Sequence, residues 1–368
     1  MRMMHYGSGF RARAGLKRRL KTTLSYKRHI LGTLLKNVSR SFYLTLRVLP
    51  EELRDSISLA YLLARAADTI ADTQIIPSSK RLDLLLALRS QINGNWDAVE
   101  LSRIETALAE HQENPHERIL LKSLLPALQM LAEFDDHDQA EVKNVVTTLT
   151  TGMELDLRTF PLENSGQLVA LRTLSDLDRY TYLVAGCVGD FWTRMTVAHT
   201  PALQNWDLAE MSPCGIRFGK ALQMTNVMRD CAKDLRIGRC YLPRELLSQF
   251  SLLPEELLNP DNSVKAQVVL FELLKFTLEH YREAKHFLLA IPSSCGRLRL
   301  ACLWPILIGL ETLKELAQNT HWLDPAHPSK ISRWRVYQDI ALSLPSVGSD
   351  TLVNAWIDCR ITKIEQYM

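Results

Sequence analysis

Two pairs of aspartates, far apart in the chain, have the same spacing inside apolar segments. Asp68 and Asp72 form the first pair, and Asp230 and Asp234 form the second. Both segments have the apolar periodicity of a helix, so the four-residue spacing places both carboxylates of a pair on one helical face. Like charges at this spacing destabilise a helix by about 0.2–0.5 kcal/mol per pair. We therefore expect a helical fold in which a cation compensates both faces.

The donor atoms on these faces are suited to Mg²⁺. This ion prefers oxygen ligands and usually binds through one or two carboxylates together with substrate phosphates. The second face is longer than its aspartates, since Gln223 and Asn226 precede Asp230 and Asp234 along one line at positions 0, 3, 7 and 11. A polar line on a helix is ordinarily a solvated face. Because the first face repeats the pattern, we interpret both as ligand rows that hold a magnesium–diphosphate cluster.

The composition favours helices over strands. The chain has 368 residues, of which 46% are hydrophobic, and only 15 are glycine and 15 proline. This apolar content is sufficient for a large core, and the turn residues are too sparse for a β-rich protein. We therefore expect an all-α fold.

Apolar periodicity marks helices along almost the whole chain. Pro50 begins a helix with acidic residues in its first turn, which should run to about Asp72, and Pro77 begins the next. One amphipathic stripe consists of Val142, Val145, Val146, Leu149 and Met153. Further helices are predicted at 205–236, 263–290, 296–319, 333–345 and 350–366, with a loop from His321 to Ser329.

The charge is distributed unevenly. Residues 1–50 contain twelve lysines and arginines and no acidic residue. Because the whole chain has a net charge of +3, the remaining residues together carry −9. Residues 1–26 are predicted to be a basic, flexible arm ahead of one all-α domain at 27–368. Such an arm is either a solubilising tail or a contact for anionic lipid. It lacks the aromatic interleaving of a single-strand binding groove, so nucleic acid is not an expected partner.

Cysteines and hydropathy indicate the compartment. The seven cysteines are scattered without CxxC spacing, which is typical of a reducing cytoplasm rather than a disulfide framework. No apolar stretch follows the basic arm as in a secretory signal, and no run reaches 18 apolar residues. We expect a cytoplasmic protein without a transmembrane segment. If the arm binds anionic lipid, the protein is also peripheral on the cytoplasmic membrane, and the role of the arm is left open.

Other segments carry weaker signals. Gly186 and Gly189 interrupt a helical stretch that contains Tyr180, and each should cost about 1 kcal/mol unless a helix or ligand approaches closely. Gly238 is expected to end the second acidic helix, which leaves Arg239 at the mouth of a cavity as a bidentate phosphate donor or as a surface cap. Ser39-Arg40-Ser41-Phe42 is either a helix start capped by serine or a segment whose hydroxyl and guanidinium groups bind a diphosphate.

Together these motifs resemble the squalene/phytoene synthases. The resemblance covers about residues 30–345 and preserves the family's order of motifs. It rests on Ser39-Arg40-Ser41-Phe42, Arg65 with Asp68 to Asp72, Tyr180 with Val184-Ala185-Gly186, and Asn226 to Asp230 followed by Gly238 to Pro243. It implies an isoprenoid synthase fold, a helical bundle around a central active-site cavity.

The resemblance also implies an activity and a set of roles. The activity is head-to-head condensation of two farnesyl diphosphates through presqualene diphosphate to squalene, with Mg²⁺ and NADPH. The implied metal ligands are Asp68, Asp72, Asn226, Asp230 and Asp234. The four aspartates and Tyr180 form the implied catalytic set. The implied diphosphate contacts are Arg40, Ser41, Arg65, Gln223, Arg229 and Arg239. Tyr180 matches the tyrosine assigned to cyclopropyl formation.

Several features depart from the family pattern. In the second acidic motif, the family usually has an acid directly before the last aspartate, where this chain has Lys233, one position away from the ligand face. The family often has a tyrosine just before Val184-Ala185-Gly186, where this chain has Leu183. No dinucleotide glycine fingerprint is present, so NADPH rests on a basic stretch with Lys330 and Arg333 that resembles a segment linked to it. The alternative products are phytoene, dehydrosqualene and presqualene diphosphate. The intact acidic pairs argue against a non-catalytic assembly factor. Chain length of the substrate and oligomeric state are left open.

Overall fold

The structure of this chain is a computed structural model that describes residues 29–39, 42–73, 76–94, 96–109, 112–161 and 163–368. The first half contains α1 (Leu35–Val38), α2 (Phe42–Val48), α3 (Glu51–Asp72), α4 (Ser78–Asn93), α5 (Ala98–Ala109), α6 (Pro115–Lys122), α7 (Leu124–Leu131) and α8 (Asp136–Thr159). The second half contains α9 (Leu174–Thr181), α10 (Cys187–His199), α11 (Leu208–Arg236), α12 (Arg244–Gln249), α13 (Gln267–Ala290), α14 (Gly296–Gln318), α15 (Arg333–Ser346) and α16 (Asp350–Glu365).

The remaining regular elements are short. Two π-helical segments span His29–Leu34 and Tyr182–Gly186, and three 3₁₀ turns span Pro201–Leu203, Pro254–Leu258 and Pro260–Ser263. A parallel pair joins β1 (Val169–Ala170) to β2 (Arg239–Cys240), with Val169 opposite Arg239. The all-α expectation is confirmed. The predicted helices agree with α3, α11, α13, α14, α15 and α16 within a few residues at their ends.

The long helix α11 organises the centre of the protein. It packs against α10, α13, α14 and the π-helical segment Tyr182–Gly186. Its buried side includes Ala221, Met224, Val227, Met228 and Cys231. Because these residues turn one side of α11 into the core, the polar line that begins at Gln223 is left facing a cavity.

Glycines permit α10 and α11 to approach closely. A Cβ atom added to Gly189 would lie 1.8 Å from the carbonyl oxygen of Gly215, and one added to Gly219 would lie 2.1 Å from the carbonyl oxygen of Ala185. The predicted close approach at Gly186 and Gly189 is therefore confirmed, and the approaching element is a helix.

The end of α11 sets the position of Arg239. Gly238 has a φ of 91°, a left-handed conformation that glycine adopts without strain. The chain then forms β2, and Pro243 precedes α12. The helix end at Gly238 matches the sequence prediction, while the two-residue strand pair was not predicted.

The described residues bear on two further expectations. None of their helices combines the length and the apolar character that crossing a bilayer requires. All seven cysteines are free thiols. The basic arm at 1–26 lies outside the described residues, and so do Arg40 and Ser41.

Candidate active site

The two predicted acidic faces adjoin one chain of cavities. A cavity of about 210 Å³ opens between α3, α8, the Tyr180 region and α11. Its lining comprises Asp68, Ala71, Asp72, Leu149, Met153, Asp156, Leu157, Tyr180, Val184, Gln223, Arg239 and Tyr241. The first acidic pair and Gln223 from the second face therefore reach the same cavity, which we call the acidic cavity.

An arginine contacts the first aspartate of each pair. Arg65 forms ion pairs with Asp68 and with Glu117. On the other helix, Arg229 donates to Asp230, with its Nε 3.1 Å from Oδ1. Each aspartate therefore stands beside a cation that could instead contact an anionic ligand.

The second aspartate of each pair has an unusual proton affinity. Burial, followed by the charge of Asp68, raises the pKa of Asp72 to about 7, although its carboxylate is open to the water of the cavity. Burial, followed by the charge of Asp230, raises the pKa of Asp234 to about 7. These shifts mark carboxylates that lack sufficient positive charge nearby. An oxygen-donor set of this kind fits a divalent cation such as Mg²⁺.

The amides of α11 lie at the border between two cavities. Asn226 Nδ2 is 3.4 Å from Gln223 Oε1. Gln223 lines both the acidic cavity and an apolar chamber of about 190 Å³, while Asn226 lines the chamber. The structure therefore brings both predicted amides to the site, with Asn226 one turn nearer to the apolar side.

Arg239 is more deeply engaged than the sequence predicted. Its Nη1 donates to Asp156 Oδ2 at 2.5 Å, and its Nη2 donates to Glu163 Oε2 at 2.9 Å. Glu163 also accepts from Arg81 at 2.9 Å, and Tyr241 donates to Asp156 Oδ1 at 2.6 Å. The pKa of Arg239 lies above its ordinary value because these acids outweigh the effect of burial. Arg239 thus forms part of the cavity wall rather than a surface cap.

Tyr180 lies in the same wall. Its ring stacks on Tyr241, with centroids 4.7 Å apart and an interplanar angle of 26°. Burial and the charge of Asp156 raise the pKa of Tyr180 above its ordinary value, so the phenol stays protonated. The π-helical segment Tyr182–Gly186 follows directly, a type of distortion often found at functional sites.

Apolar cavities continue from the acidic one. The chamber of about 190 Å³ is lined mainly by Phe42, Val184, Ala185, Val188, Trp192, Phe218 and Leu222. A neighbouring cavity of about 260 Å³ shares Phe42, Leu222 and Asn226 with it and also includes Arg229. Phe42 itself stacks on Tyr61 with centroids 5.2 Å apart. The cavities therefore share wall residues, which places apolar surface directly beside the acidic cavity.

The basic segment after the loop reaches the second acidic face. Lys330 lines a cavity of about 330 Å³ together with Arg229, Asp230 and Lys233. Arg333 is the first residue of α15, is exposed, and does not line this cavity. The structure thus brings Lys330 to the site region and leaves Arg333 at its edge.

The acidic partners of Arg239 were missed by the sequence analysis. Asp156 continues the apolar stripe of α8, since it follows Met153 by three residues. An acid at a core position of an otherwise apolar stripe was the available signal. Glu163 gave no comparable signal, because it meets Arg239 and Arg81 only through the tertiary fold.

Comparisons with known proteins agree with this geometry. The chain matches the family profile of squalene/phytoene synthase over residues 35–335. It is 29% identical over 274 residues to a squalene synthase of Saccharomyces cerevisiae, covering 70% of this chain and 55% of that protein. It is 27% identical over 290 residues to a bifunctional lycopene cyclase/phytoene synthase of Gibberella fujikuroi, covering 77% of this chain and 46% of that protein.

Solved structures share the fold. TcSQS in complex with a ligand gives a TM-score of 0.72 at 19% identity, covering 94% of this chain and 100% of that chain. A dehydrosqualene synthase gives a TM-score of 0.59 at 21% identity, covering 89% and 99%. The helices around the cavity therefore form an isoprenoid synthase fold.

Fold and sequence together define the family. Because the family profile covers most of the chain, the protein belongs to the squalene/phytoene synthase family. The chain spans about half the length of the curated relatives that it matches.

Proposed function

We propose that this protein is a squalene synthase, which condenses two molecules of farnesyl diphosphate head to head through presqualene diphosphate. The observation that carries the proposal is the connection between the acidic cavity and the apolar chamber. Asp68, Asp72 and Arg239 line the first, and Gln223 lies at the border of the two. Such a pair of spaces suits a diphosphate head and an isoprenoid tail, respectively.

The residues present fit Mg²⁺. The proposed ligands are Asp68, Asp72, Asn226, Asp230 and Asp234, all of which offer hard oxygen atoms. When bound, the metal supplies positive charge that stabilises the departing diphosphate. The raised pKa values of Asp72 and Asp234, about 7 in both cases, support a need for such charge.

The protein's own cations complete the binding of the leaving group. Arg65, Arg229 and Arg239 are proposed to donate hydrogen bonds to diphosphate oxygens, since a guanidinium binds such groups bidentately. Arg65 and Arg229 would exchange their aspartate partners for the ligand, whereas Arg239 is fixed by Asp156. Gln223 is proposed to contribute an amide, and Arg40 and Ser41 further donors, from outside the described residues.

Exclusion of water is the second requirement. Ionisation of an allylic diphosphate leaves a carbocation that water would quench. Phe42, Trp192 and Phe218 give the chamber a largely apolar wall, which disfavours water beside this cation. Closure of the cyclopropane ring releases a proton, and the Tyr180 hydroxyl is proposed to assist its transfer towards diphosphate.

The reductive step would require a hydride donor. We propose that Lys330 contacts the phosphates of NADPH, because it lines a cavity that also contains the cations Arg229 and Lys233. Arg333, at the start of α15, is a more peripheral candidate for the same contact. This cavity adjoins the second acidic face through Asp230, so the cofactor would lie near the substrate.

Product analysis tests the function. The purified full chain is incubated with farnesyl diphosphate and Mg²⁺, with and without NADPH, and the extracted lipids are identified by mass spectrometry. We expect squalene with NADPH and presqualene diphosphate without it. Dehydrosqualene as the product under both conditions, or phytoene formed from geranylgeranyl diphosphate, would assign the protein to another member activity of the family. Absence of any condensation product would favour a non-catalytic role.

A peripheral membrane contact is proposed for the basic arm, because the product is a hydrocarbon that must leave to lipid. Deletion of residues 1–25 should weaken binding to anionic vesicles and preserve turnover. Vesicle binding that is unchanged by the deletion or by salt would contradict this role.

A further inference from the structure

A second cluster of ligating side chains lies at the other end of α8. Within the described part of the chain, His137, Asp138 and His199 bring one ligand atom each to within 4.8 Å of the others. His137 and Asp138 lie in the first turn of α8, and His199 is the last residue of α10. The fold thus brings together donors that are 61 positions apart in sequence.

The distances are close to those of a metal site. Asp138 Oδ1 lies 2.7 Å from His199 Nε2 and 3.3 Å from His137 Nδ1. Bonds of about 2.0–2.2 Å to a tetrahedral zinc ion place neighbouring ligand atoms about 3.3–3.6 Å apart. The contact with His137 already has this length, and the contact with His199 needs to open by about 0.6–0.9 Å.

The surroundings orient the carboxylate towards the two imidazoles. Ser56 on α3 donates to Asp138 Oδ2 at 2.5 Å, which leaves Oδ1 directed to both histidines. The Asp138 side chain is only 6% exposed, whereas His137 is 51% exposed. A cation can therefore enter from the solvent side and meet the Asp138 carboxylate, which the hydrogen bond from Ser56 holds in place.

The same geometry excludes a nucleophilic role for the serine. Ser56 donates to the carboxylate of Asp138, and the imidazole of His199 contacts that carboxylate as well. The hydroxyl contacts the carboxylate and neither imidazole, so the arrangement lacks the serine–histidine contact that activates a nucleophile.

We propose that His137, Asp138 and His199 bind a borderline divalent cation such as Zn²⁺, which ties the first turn of α8 to the last turn of α10. Two imidazoles and one carboxylate form a donor set suited to zinc, whereas the oxygen-only acidic cavity suits Mg²⁺. Asp138 and Asp156 are separated by 18 residues of one helix, or about 27 Å. The cation therefore clips helices together and takes no part in chemistry at the acidic cavity.

Cobalt is a suitable probe because its visible absorption reports coordination. Co²⁺ with four or five nitrogen and oxygen ligands absorbs strongly, whereas Co²⁺ with six oxygen ligands absorbs weakly. The full chain, without an affinity tag and stripped by a chelator, is titrated with Co²⁺ in the presence of excess Mg²⁺. We expect intense bands that saturate at one equivalent, disappear on addition of Zn²⁺, and accompany a higher melting temperature.

Variants locate the site. His137→Gln is the decisive change, since this exposed side chain contributes one contact to Asp138 and its loss should leave folding intact. We expect this variant and His199→Gln to lose at least about tenfold in Co²⁺ affinity. His286→Gln, which changes an exposed histidine on α13, is the matched control and should retain the bands.

Two results would overturn the proposal. The first is a wild-type protein without intense bands, which would leave His199 and Asp138 as a simple hydrogen-bonded pair. The second is a spectrum that persists unchanged in His137→Gln, which would place the cobalt elsewhere in the chain. A rise in melting temperature with Zn²⁺ that is equal in wild type and His137→Gln would have the same meaning.

Discussion

Arg239 donates through Nη1 to Asp156 Oδ2 at 2.5 Å, a contact between side chains 83 positions apart. Asp156 also accepts a hydrogen bond from the hydroxyl of Tyr241. The ring of Tyr241 stacks on the ring of Tyr180. One carboxylate therefore fixes both the proposed diphosphate-binding guanidinium and the aromatic wall beside it. This makes Asp156 a positioning residue for the proposed reaction.

Replacement of this carboxylate tests the positioning role. In Asp156→Asn, Arg239 keeps Glu163 as its partner at 2.9 Å, so the fold should survive with a loss of about 1–3 kcal/mol. Turnover should fall by about tenfold or more, because Nη1 loses its charged partner and Glu163 alone then positions the guanidinium. Steady-state kinetics and thermal unfolding measure the two effects.

Glu154→Gln on the same helix is the control, since Glu154 pairs with Arg89 and Arg158 outside the acidic cavity. Its turnover should match wild type. Full turnover in Asp156→Asn would show that Arg239 needs no help from this carboxylate.

The acidic pairs give the second prediction. Asp68→Asn and Asp230→Asn should each lower turnover by at least about 100-fold, through lost stabilisation of the leaving diphosphate. Each removes an i,i+4 repulsion and also an ion pair with a neighbouring arginine. These effects oppose each other and are similar in size, so stability should change by less than about 1 kcal/mol. Circular dichroism and product formation under saturating Mg²⁺ measure these effects.

Exposed acids on the same two helices serve as controls. Glu52→Gln on α3 and Glu210→Gln on α11 change one charge each without touching the cavity. Near-normal turnover in either aspartate variant would exclude the metal–diphosphate arrangement as proposed.

The helical fold and the acidic pairs were accessible from the sequence because both depend on local spacing. Apolar periodicity predicted α11 as 205–236 against the observed Leu208–Arg236. The spacing of Asp230 and Asp234 fixed their shared face before any tertiary contact was known. The helix end at Gly238 was likewise predictable, because the left-handed φ of 91° at this position is a local conformation that glycine adopts readily.

Other parts of the site depend on the tertiary fold. The contact of Arg239 with Glu163 joins segments 76 positions apart, and no local pattern relates them. The π-helical segment Tyr182–Gly186 lies where Ala185 contacts Gly219 of α11. The distortion therefore coincides with a tertiary contact, which the local sequence does not reveal. The strand pair of two residues each is too short for alternation to appear.

Close packing of α10 on α11 gives the third prediction. In Gly189→Ala, the new Cβ atom would lie 1.8 Å from the Gly215 carbonyl oxygen, which forces the helices apart. We expect a loss of about 1–3 kcal/mol or more in the free energy of unfolding. Gly348→Ala is the control, because a Cβ atom there meets nothing within 4 Å. Equal melting temperatures for the two variants would contradict the observed helix separation.

His280 on α13 gives a prediction about pH. Burial and the nearby cations Lys220 and Arg217 lower its pKa from 6.5 to about 4, against weaker opposing effects of Asp178 and Glu283. The folded state therefore resists a proton that the unfolded state accepts below about pH 6.5. This contribution should reduce stability as the pH falls from about 6.5 towards 4, by up to about 3 kcal/mol.

Denaturant unfolding at pH 7.0 and pH 4.5 measures this effect. His280→Gln should lose less stability between the two pH values than wild type does. His286→Gln, on an exposed position of the same helix, should follow the wild-type profile. A profile for His280→Gln identical to wild type would mean that other groups carry the acid sensitivity.

Tyr180 gives the last prediction, which concerns the fate of a proton. The phenol lies in the wall of the acidic cavity, and its pKa is raised by burial and by the charge of Asp156, so it acts as a hydroxyl rather than a phenolate. Tyr180→Phe keeps the ring that stacks on Tyr241 and removes only this hydroxyl. The variant should bind farnesyl diphosphate and Mg²⁺ normally, yet form little presqualene diphosphate. Tyr182→Phe, which alters an exposed phenol two residues away, should be fully active. Normal cyclopropyl product from Tyr180→Phe would leave Tyr180 as a packing residue, and the proton transfer would then fall to diphosphate alone.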